Sequence, residues 1–194
     1  MKKIQFIKES LKSLQEVGTV LPSSKSVVNK MVNPIKFDKD IIIVELGSGT
    51  GVITKEILSR MSKKSKLICF ETNSSFYKDL KKKFKDNIYL INDSAENMEK
   101  HIEQLNIKKI DYIVSSVPLL TLPKQTTNKI LLVSSQILDT DRKFIQLQYS
   151  KLMDKRLEKY FNQIDVNFTP KNYLPSFIYT CYNSRINLER YCWK

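Results

Sequence analysis

Glycine, histidine and cysteine are scarce in this chain, and each shortage closes off a class of function. Of 194 residues, four are glycine, one is histidine and three are cysteine. A single His101, with Cys69, Cys181 and Cys192 in no paired spacing, makes neither a zinc constellation nor a disulfide framework. No metal site is expected. No apolar run approaches the roughly 20 residues that span a bilayer. The lysine-bearing N-terminus leads into neither a long apolar core nor a cleavage site, so no signal peptide is expected. The expected location is the cytoplasm, with peripheral contact to a membrane. Negative charge is also short: 20 Asp and Glu face 33 Lys and Arg, a formal net charge of +13 at pH 7. Such an excess favours polyanionic partners, either nucleic acid or an anionic membrane surface. No obligate protein partner is evident.

What the chain does contain is a regular alternation. From residue 41 onward, short β-branched runs alternate with helical segments. The strand candidates are 41–46, 66–70, 87–91, 111–116 and 143–149, and the helix candidates are 52–61, 75–85, 95–105, 123–138 and 151–161. Continuous apolar strands separated by helices predict a parallel sheet covered on both faces. Two more strands, 163–169 and 176–182, follow without an intervening helix and predict an antiparallel hairpin. The expected fold is therefore α/β: a doubly wound, seven-stranded, mostly parallel sheet with a C-terminal hairpin and N-terminal helices. Residues 1–40 are of another kind. Ile4, Ile7, Leu11 and Leu14 recur at helical spacing with Lys2, Lys8 and Lys12 off the stripe, as in a basic amphipathic helix on a lipid surface. The expected division is a helical lid and membrane-contact segment, 1–40, followed by a catalytic domain, 41–194.

The segment "VELGSGTGVIT" (44–54) sits at the first strand-to-helix turn, where α/β sheets bind nucleotides. Gly47, Gly49 and Gly51 let backbone turn tightly and approach a ligand. Their spacing is not that of a dinucleotide fingerprint, whose third glycine would fall at Val52, and no Gly-Lys-Ser/Thr follows to make a P-loop. Glu45, ahead of the glycines, argues against a pyrophosphate and for a cationic or amino-acid-like ligand. This run resembles the first motif of class I S-adenosylmethionine-dependent methyltransferases. The resemblance implies S-adenosylmethionine as cofactor, bound by Glu45, Gly47, Ser48, Gly49, Thr50 and Gly51. It implies further that Glu71 and Thr72 meet the ribose hydroxyls after the second strand. Asp93, Ser94 and Ala95 are implied at the adenine after the third strand, and Ser115 ends the fourth strand beside methyl transfer.

The acceptor is read from the substrate-facing loops. The chain resembles the small, soluble bacterial phospholipid N-methyltransferases in "GTVLPSS" (18–24), in the "SSVPLL" loop (115–120), in Gln146 and Tyr149 of "IQLQYS" (145–150), and in "PSFIYTCY" (175–182). That resemblance implies transfer of methyl groups to the head-group amine of a phospholipid such as phosphatidylethanolamine. Ser115, Ser116, Pro118 and Tyr149 are then the catalytic candidates, and Ser23, Ser24, Leu119 and Leu120 the substrate contacts. One departure stands out: Ser116 occupies a position that is glycine in many relatives. The alternative is an adenine N6-methyltransferase acting on RNA, of the ribosomal dimethylase kind, or on DNA, consistent with the basic charge. Such enzymes present an Asn/Asp-x-Pro-aromatic loop after the fourth strand, whose aromatic stacks the flipped base. Here leucines follow the proline, and the chain ends soon after the hairpin, with no appended nucleic-acid domain expected. A membrane-binding protein that keeps this fold only as a scaffold fits less well, because the cofactor positions are intact.

Overall fold

A computed structural model describes residues 24–170 and 175–184. Seven strands form one sheet: β1 (Ile42–Leu46), β2 (Lys66–Phe70), β3 (Tyr89–Ile91), β4 (Ile110–Ser115), β5 (Leu138–Gln148), β6 (Gln163–Thr169) and β7 (Ser176–Tyr182). Their order across the sheet is β3-β2-β1-β4-β5-β7-β6. The first five pair in parallel, and β7 runs antiparallel to both β5 and β6. This is the expected α/β architecture. The winding reverses between β1 and β4, and a crevice at such a point, beyond the strands' carboxyl ends, is where open α/β sheets take ligands.

Among the described residues, six helices cover the two faces. Helices α1 (Lys25–Val32), α2 (Val52–Arg60) and α3 (Ser74–Phe84) lie on one face, and α4 (Met98–Gln104), α5 (Lys124–Ile137) and α6 (Asp154–Leu157) on the other. Each side has its own apolar core. On the first, Val27, Met31, Ile57 and Phe84 pack against Ile43, Leu67 and Ile145; on the second, Met98, Leu131 and Leu157 pack against Val44, Ile68 and Phe144. The strands supply both cores by alternation, which is why β1, β2 and β4 read as unbroken apolar runs.

Residues 24–40 pack as part of the domain. Ser24 caps α1, its hydroxyl accepting from Val27 N at 3.4 Å. Val27, Val28, Met31 and Val32 are buried in the first core, each contributing about 2 kcal/mol of burial free energy. The amphipathic stripe at residues 4–17 and the candidate Ser23 lie outside the described residues.

Two elements differ from expectation. The helix expected over 151–161 is a 3-10 turn, Lys151–Met153, followed by the four-residue α6. Met153, Leu157 and Phe161 are buried at helical spacing, but the buried set continues through turns rather than helix. β5 begins at Leu138, immediately after α5, and not at 143. Ile110 pairs with Leu138 and Tyr112 with Lys143, so β5 carries extra residues there, including Asp141 in the left-handed region at φ 65°. That irregularity lets the polar stretch 139–142 join the strand.

Candidate active site

The glycine turn is built from main-chain bonds. Gly47 N and Ser48 N both donate to Phe70 O, at 2.9 and 3.2 Å, and Gly51 N donates to Ser48 O at 2.8 Å. The turn is thereby locked onto the end of β2. Gly47, Gly49 and Gly51 all have positive φ, between 52° and 76°, a region that side-chain-bearing residues enter at a cost. Space matters as well as φ. A Cβ on Gly51 would stand 2.6 Å from Phe84 Cε2 and 2.7 Å from Leu80 Cδ2, whereas a Cβ on Gly49 would meet no described atom within 4 Å. Gly51 therefore serves packing between α2 and α3, and Gly49 opens onto free space beside the turn. Thr50 is exposed at the rim, with its carbonyl accepting from Lys83 Nζ at 3.1 Å.

Glu45 lies beneath the turn and is 1% exposed. Its Oε2 accepts from Thr54 Oγ1 at 2.6 Å and from Cys69 Sγ at 3.4 Å. Burial pushes its carboxyl above the usual carboxylate range, against the pull of the Thr54 hydroxyl, the Cys69 thiol and the Ser48 hydroxyl; the last acts from outside hydrogen-bonding geometry. Glu71, at the end of β2, is also buried. Its Oε2 accepts from Gly49 N at 2.7 Å and its Oε1 from Asn73 N at 2.8 Å. Each carboxylate oxygen has two lone-pair directions, so one per oxygen stays available beside the turn. Thr72 is exposed next to it.

After β3, Asp93 is the hub of a small network. Its Oδ2 lies 2.7 Å from His101 Nε2, and its Oδ1 accepts from Ser94 N at 2.6 Å and Asn97 Nδ2 at 3.0 Å. The His101 hydrogen bond first, then those of Asn97 and Ser94 N, hold the Asp93 carboxyl down at about 2. His101 is fixed in turn by an edge-on contact with Phe70, ring centroids 5.7 Å apart. Ser94 starts the 3-10 turn Ala95–Asn97, and Ala95 is buried. His101, Asn97 and Asn73 join the site through these contacts, and nothing in their spacing announces it.

The loop after β4 reaches the same place. Ser116 Oγ donates to Gly47 O at 2.5 Å, and Ser116 N donates to Leu46 O at 3.0 Å. The Ser116 hydroxyl thus ties this loop to the glycine turn. Thr121 Oγ1 donates to Pro118 O at 2.9 Å, Thr127 Oγ1 to Leu119 O at 2.8 Å, and Gln146 Nε2 to Val117 O at 2.9 Å. These threonines give no signal in the sequence. The apolar tail divides: Leu119 is fully buried in the second core, and Leu120 is half-buried. Leu119 therefore presents no surface to a ligand. Ser115 pairs in register with Gln146, both side chains fully buried, with Ser115 Oγ and Gln146 Oε1 lacking a partner among the described residues. Tyr149, half-buried at the end of β5, packs with the first core, and burial raises its phenol above the ordinary tyrosine range. Ser24 stands at the start of α1.

A glycine-opened space, a carboxylate with free lone pairs and a second, strongly ionised carboxylate follow the carboxyl ends of β1, β2 and β3, beside the β1/β4 reversal. This donor set fits an adenosyl group carrying a methionine tail.

Comparisons with known proteins agree on the chemistry. An ornithine lipid N-methyltransferase of Singulisphaera acidiphila is 26% identical over 179 residues, covering 91% of this chain and 93% of that protein. A ribosomal RNA small subunit methyltransferase A of Mycoplasma capricolum is 32% identical over 130 residues, 66% of this chain but 46% of that protein. This chain thus spans less than half the length of that relative. The solved N-methyltransferase NodS of Bradyrhizobium japonicum shares the fold at 8% identity, with a TM-score of 0.68 over 83% of this chain and 96% of that one. Residues 18–121, more than half of the chain, match the model of the ribosomal RNA adenine dimethylases. This chain belongs to that family and is a class I methyltransferase that uses S-adenosylmethionine.

Proposed function

We propose that this enzyme methylates the head-group amine of a membrane aminolipid, with phosphatidylethanolamine and ornithine lipid as the leading acceptors. The observation that carries this reading is the loop Ser115–Leu120. At the point where a base-methylating enzyme presents a stacking aromatic, the chain buries Leu119 and leaves Leu120 half-exposed. The end-to-end similarity to a lipid N-methyltransferase supports it.

When bound, S-adenosylmethionine supplies an electrophilic methyl group on a sulfonium. The chain's own residues then have four tasks. The Gly47–Gly51 turn, with Ser48 and Thr50, cradles the amino-acid tail through backbone, while Glu45 lies beneath it, held by Thr54 and Cys69. Glu71 accepts from the ribose hydroxyls, with Thr72 alongside, and Asp93, Ser94 and Ala95 flank the adenine. Ser115, Ser116 and Pro118 shape the wall against which the amine must approach in line, about 3 Å from the carbon it attacks. Leu120 and Ser24 line the approach of the acceptor. The lipid amine must shed its proton before attack. Tyr149 is a neutral phenol at pH 7, held more firmly so by burial, so it orients the amine while solvent water carries the proton away.

The test is transfer of labelled methyl groups to vesicles of phosphatidylethanolamine, vesicles of ornithine lipid, and ribosomal RNA in parallel. Label in lipid is expected. The family match over 18–121 favours a second reading, adenine N6 methylation of ribosomal RNA, and label in RNA alone would establish it instead.

A further inference from the structure

At the carboxyl end of β5 the sheet carries an apolar patch that the catalytic crevice does not use. Phe168 and Leu152 are 49% and 55% exposed, and Val166 is 40% exposed. Monomeric proteins seldom leave such side chains grouped without a use for them. These are grouped. Gln148, at the end of β5, pairs with Phe177, which pairs with Phe168 across the hairpin. The Phe168 and Phe177 rings lie 5.0 Å apart. Val166 projects from the same side of edge strand β6 as Phe168, two residues away. Leu152 follows Lys151 in the turn directly after β5.

Cations are interleaved with this surface. Lys151 Nζ sits 5.8 Å over the Phe177 ring, and Lys30 Nζ donates to Phe168 O at 2.6 Å. The nearby carboxylate of Asp154 is occupied by the Tyr179 hydroxyl. Apolar side chains with lysines beside them match the interface of a bilayer, where rings and alkyl groups enter the acyl boundary and ammonium groups meet phosphates. Position matters too. β5 and β4 run parallel, so the patch stands at the same end of the sheet as Ser115 and the glycine turn. A bilayer touching the patch therefore lies toward the same end of the sheet as the candidate site.

We propose that Leu152, Val166, Phe168 and Phe177, with Lys30 and Lys151, form a docking surface for an anionic lipid bilayer. It sets the crevice against the membrane independently of residues 1–23. The proposal rests on the aminolipid reading above, and its test separates the two. A Leu152→Ser/Phe168→Ser variant and a separate Lys151→Glu variant of the full chain are compared with wild type for sedimentation with phosphatidylglycerol/phosphatidylcholine vesicles. Methyl transfer is measured in parallel to vesicle-embedded phosphatidylethanolamine and to a short-chain phosphatidylethanolamine dissolved as monomers.

The expected result is about tenfold weaker partitioning for each variant, since one basic residue near an anionic surface accounts for about fivefold and the glutamate also repels. Transfer to embedded lipid should fall in parallel, while transfer to the monomeric lipid and S-adenosylmethionine affinity stay unchanged. Equal partitioning of wild type and both variants overturns the docking surface. A concentration-dependent dimer of wild type that the variants lose also overturns it, by giving the patch to a second copy of the chain. Failure of wild type to methylate either form of the lipid overturns the aminolipid reading, while the partitioning result still decides the surface.

Discussion

The two sides of the candidate site, the proposed cofactor side and the proposed acceptor side, are made of different material. On the cofactor side, the glycine turn is fixed almost wholly by backbone: Gly47 N, Ser48 N and Gly51 N all bond to carbonyls, and Gly49 N bonds to Glu71. On the acceptor side, the loop after β4 adds side-chain ties to its backbone bonds. The backbone bonds run from Ser116 N to Leu46 O, Leu119 N to Val117 O and Thr121 N to Pro118 O. The side chains of Ser116, Thr121, Thr127 and Gln146 hold, in that order, the carbonyls of Gly47, Pro118, Leu119 and Val117. On the cofactor side, three positive-φ glycines are what restrict the sequence. Side-chain ties can be re-cut one residue at a time. The contrast explains how one fold keeps one methyl donor while its members differ in acceptor.

That contrast can be broken most forcefully at Gly51. Gly51→Ala forces a methyl against Phe84 and Leu80 at a φ of 76°. Overpacking and left-handed strain together should remove about 3 kcal/mol of stability, read by urea unfolding; a loss below about 1 kcal/mol would mean the helices yield. Gly49→Ala should instead unfold nearly normally, with a loss of about 1 kcal/mol from φ alone, and yet bind S-adenosylmethionine poorly, because its methyl enters the open space. Similar affinity in that variant would refute the role of the space.

Next comes Glu71→Ala, which strips acceptors from Gly49 N and Asn73 N. Cofactor affinity by titration calorimetry should fall about tenfold or more, given about 1.5–3 kcal/mol for hydrogen bonds to a charged group. The acceptor side should respond more mildly and in kcat. Ser116→Ala unties the loop from Gly47 O and should lower kcat about fivefold, as one neutral hydrogen bond is lost. Ser115→Ala, whose hydroxyl has no partner among the described residues, should leave stability unchanged or improved. If Ser115→Ala destabilises more than Ser116→Ala, the division between the two serines is wrong.

The smallest effect concerns pH. Asp93 is held at about 2, chiefly by His101. Above about pH 5 it is ionised in both folded and unfolded chains, so its contribution to stability is fully present there. Between pH 4 and 2 the unfolded chain takes up the proton and the folded chain does not, so stability declines as pH falls. Asp93→Asn should flatten this part of the pH–stability curve; an unchanged slope from pH 4 to 2 would show that Asp93 does not titrate as its hydrogen bonds require.

Much of this was legible in the sequence, and what escaped has a common cause. β2, β6 and β7 end where their apolar runs end, and α2 begins after the third glycine, because period and glycine spacing are local properties. The collapse of 151–161 into a short turn was not local. Met153, Leu157 and Phe161 satisfy a helical period, but they do so while the chain bends around the second core. The early start of β5 at Leu138 depended on a partner, Ile110, far away in sequence, and on a left-handed Asp141, a conformation aspartate tolerates but does not announce. At the site, Glu71 and Asp93 could be placed by their positions at strand ends. His101 could not, because its tie to Asp93 spans a helical turn and is recognisable only once Phe70 holds the ring. Leu119 and Leu120 looked alike in the sequence; whether a leucine turns inward is decided by the helix above it.

The hydroxyl of Ser116 reaches back to a carbonyl 69 positions earlier, across the whole first half of the domain. In a chain emerging from the ribosome this tie therefore forms only after β4 has emerged and slotted in beside β1. Pairings of such long range form slowly. A ligand that binds the folded turn in preference to the unfolded chain pulls the folding equilibrium toward it. Bound S-adenosylmethionine would thus favour chains whose two halves have met.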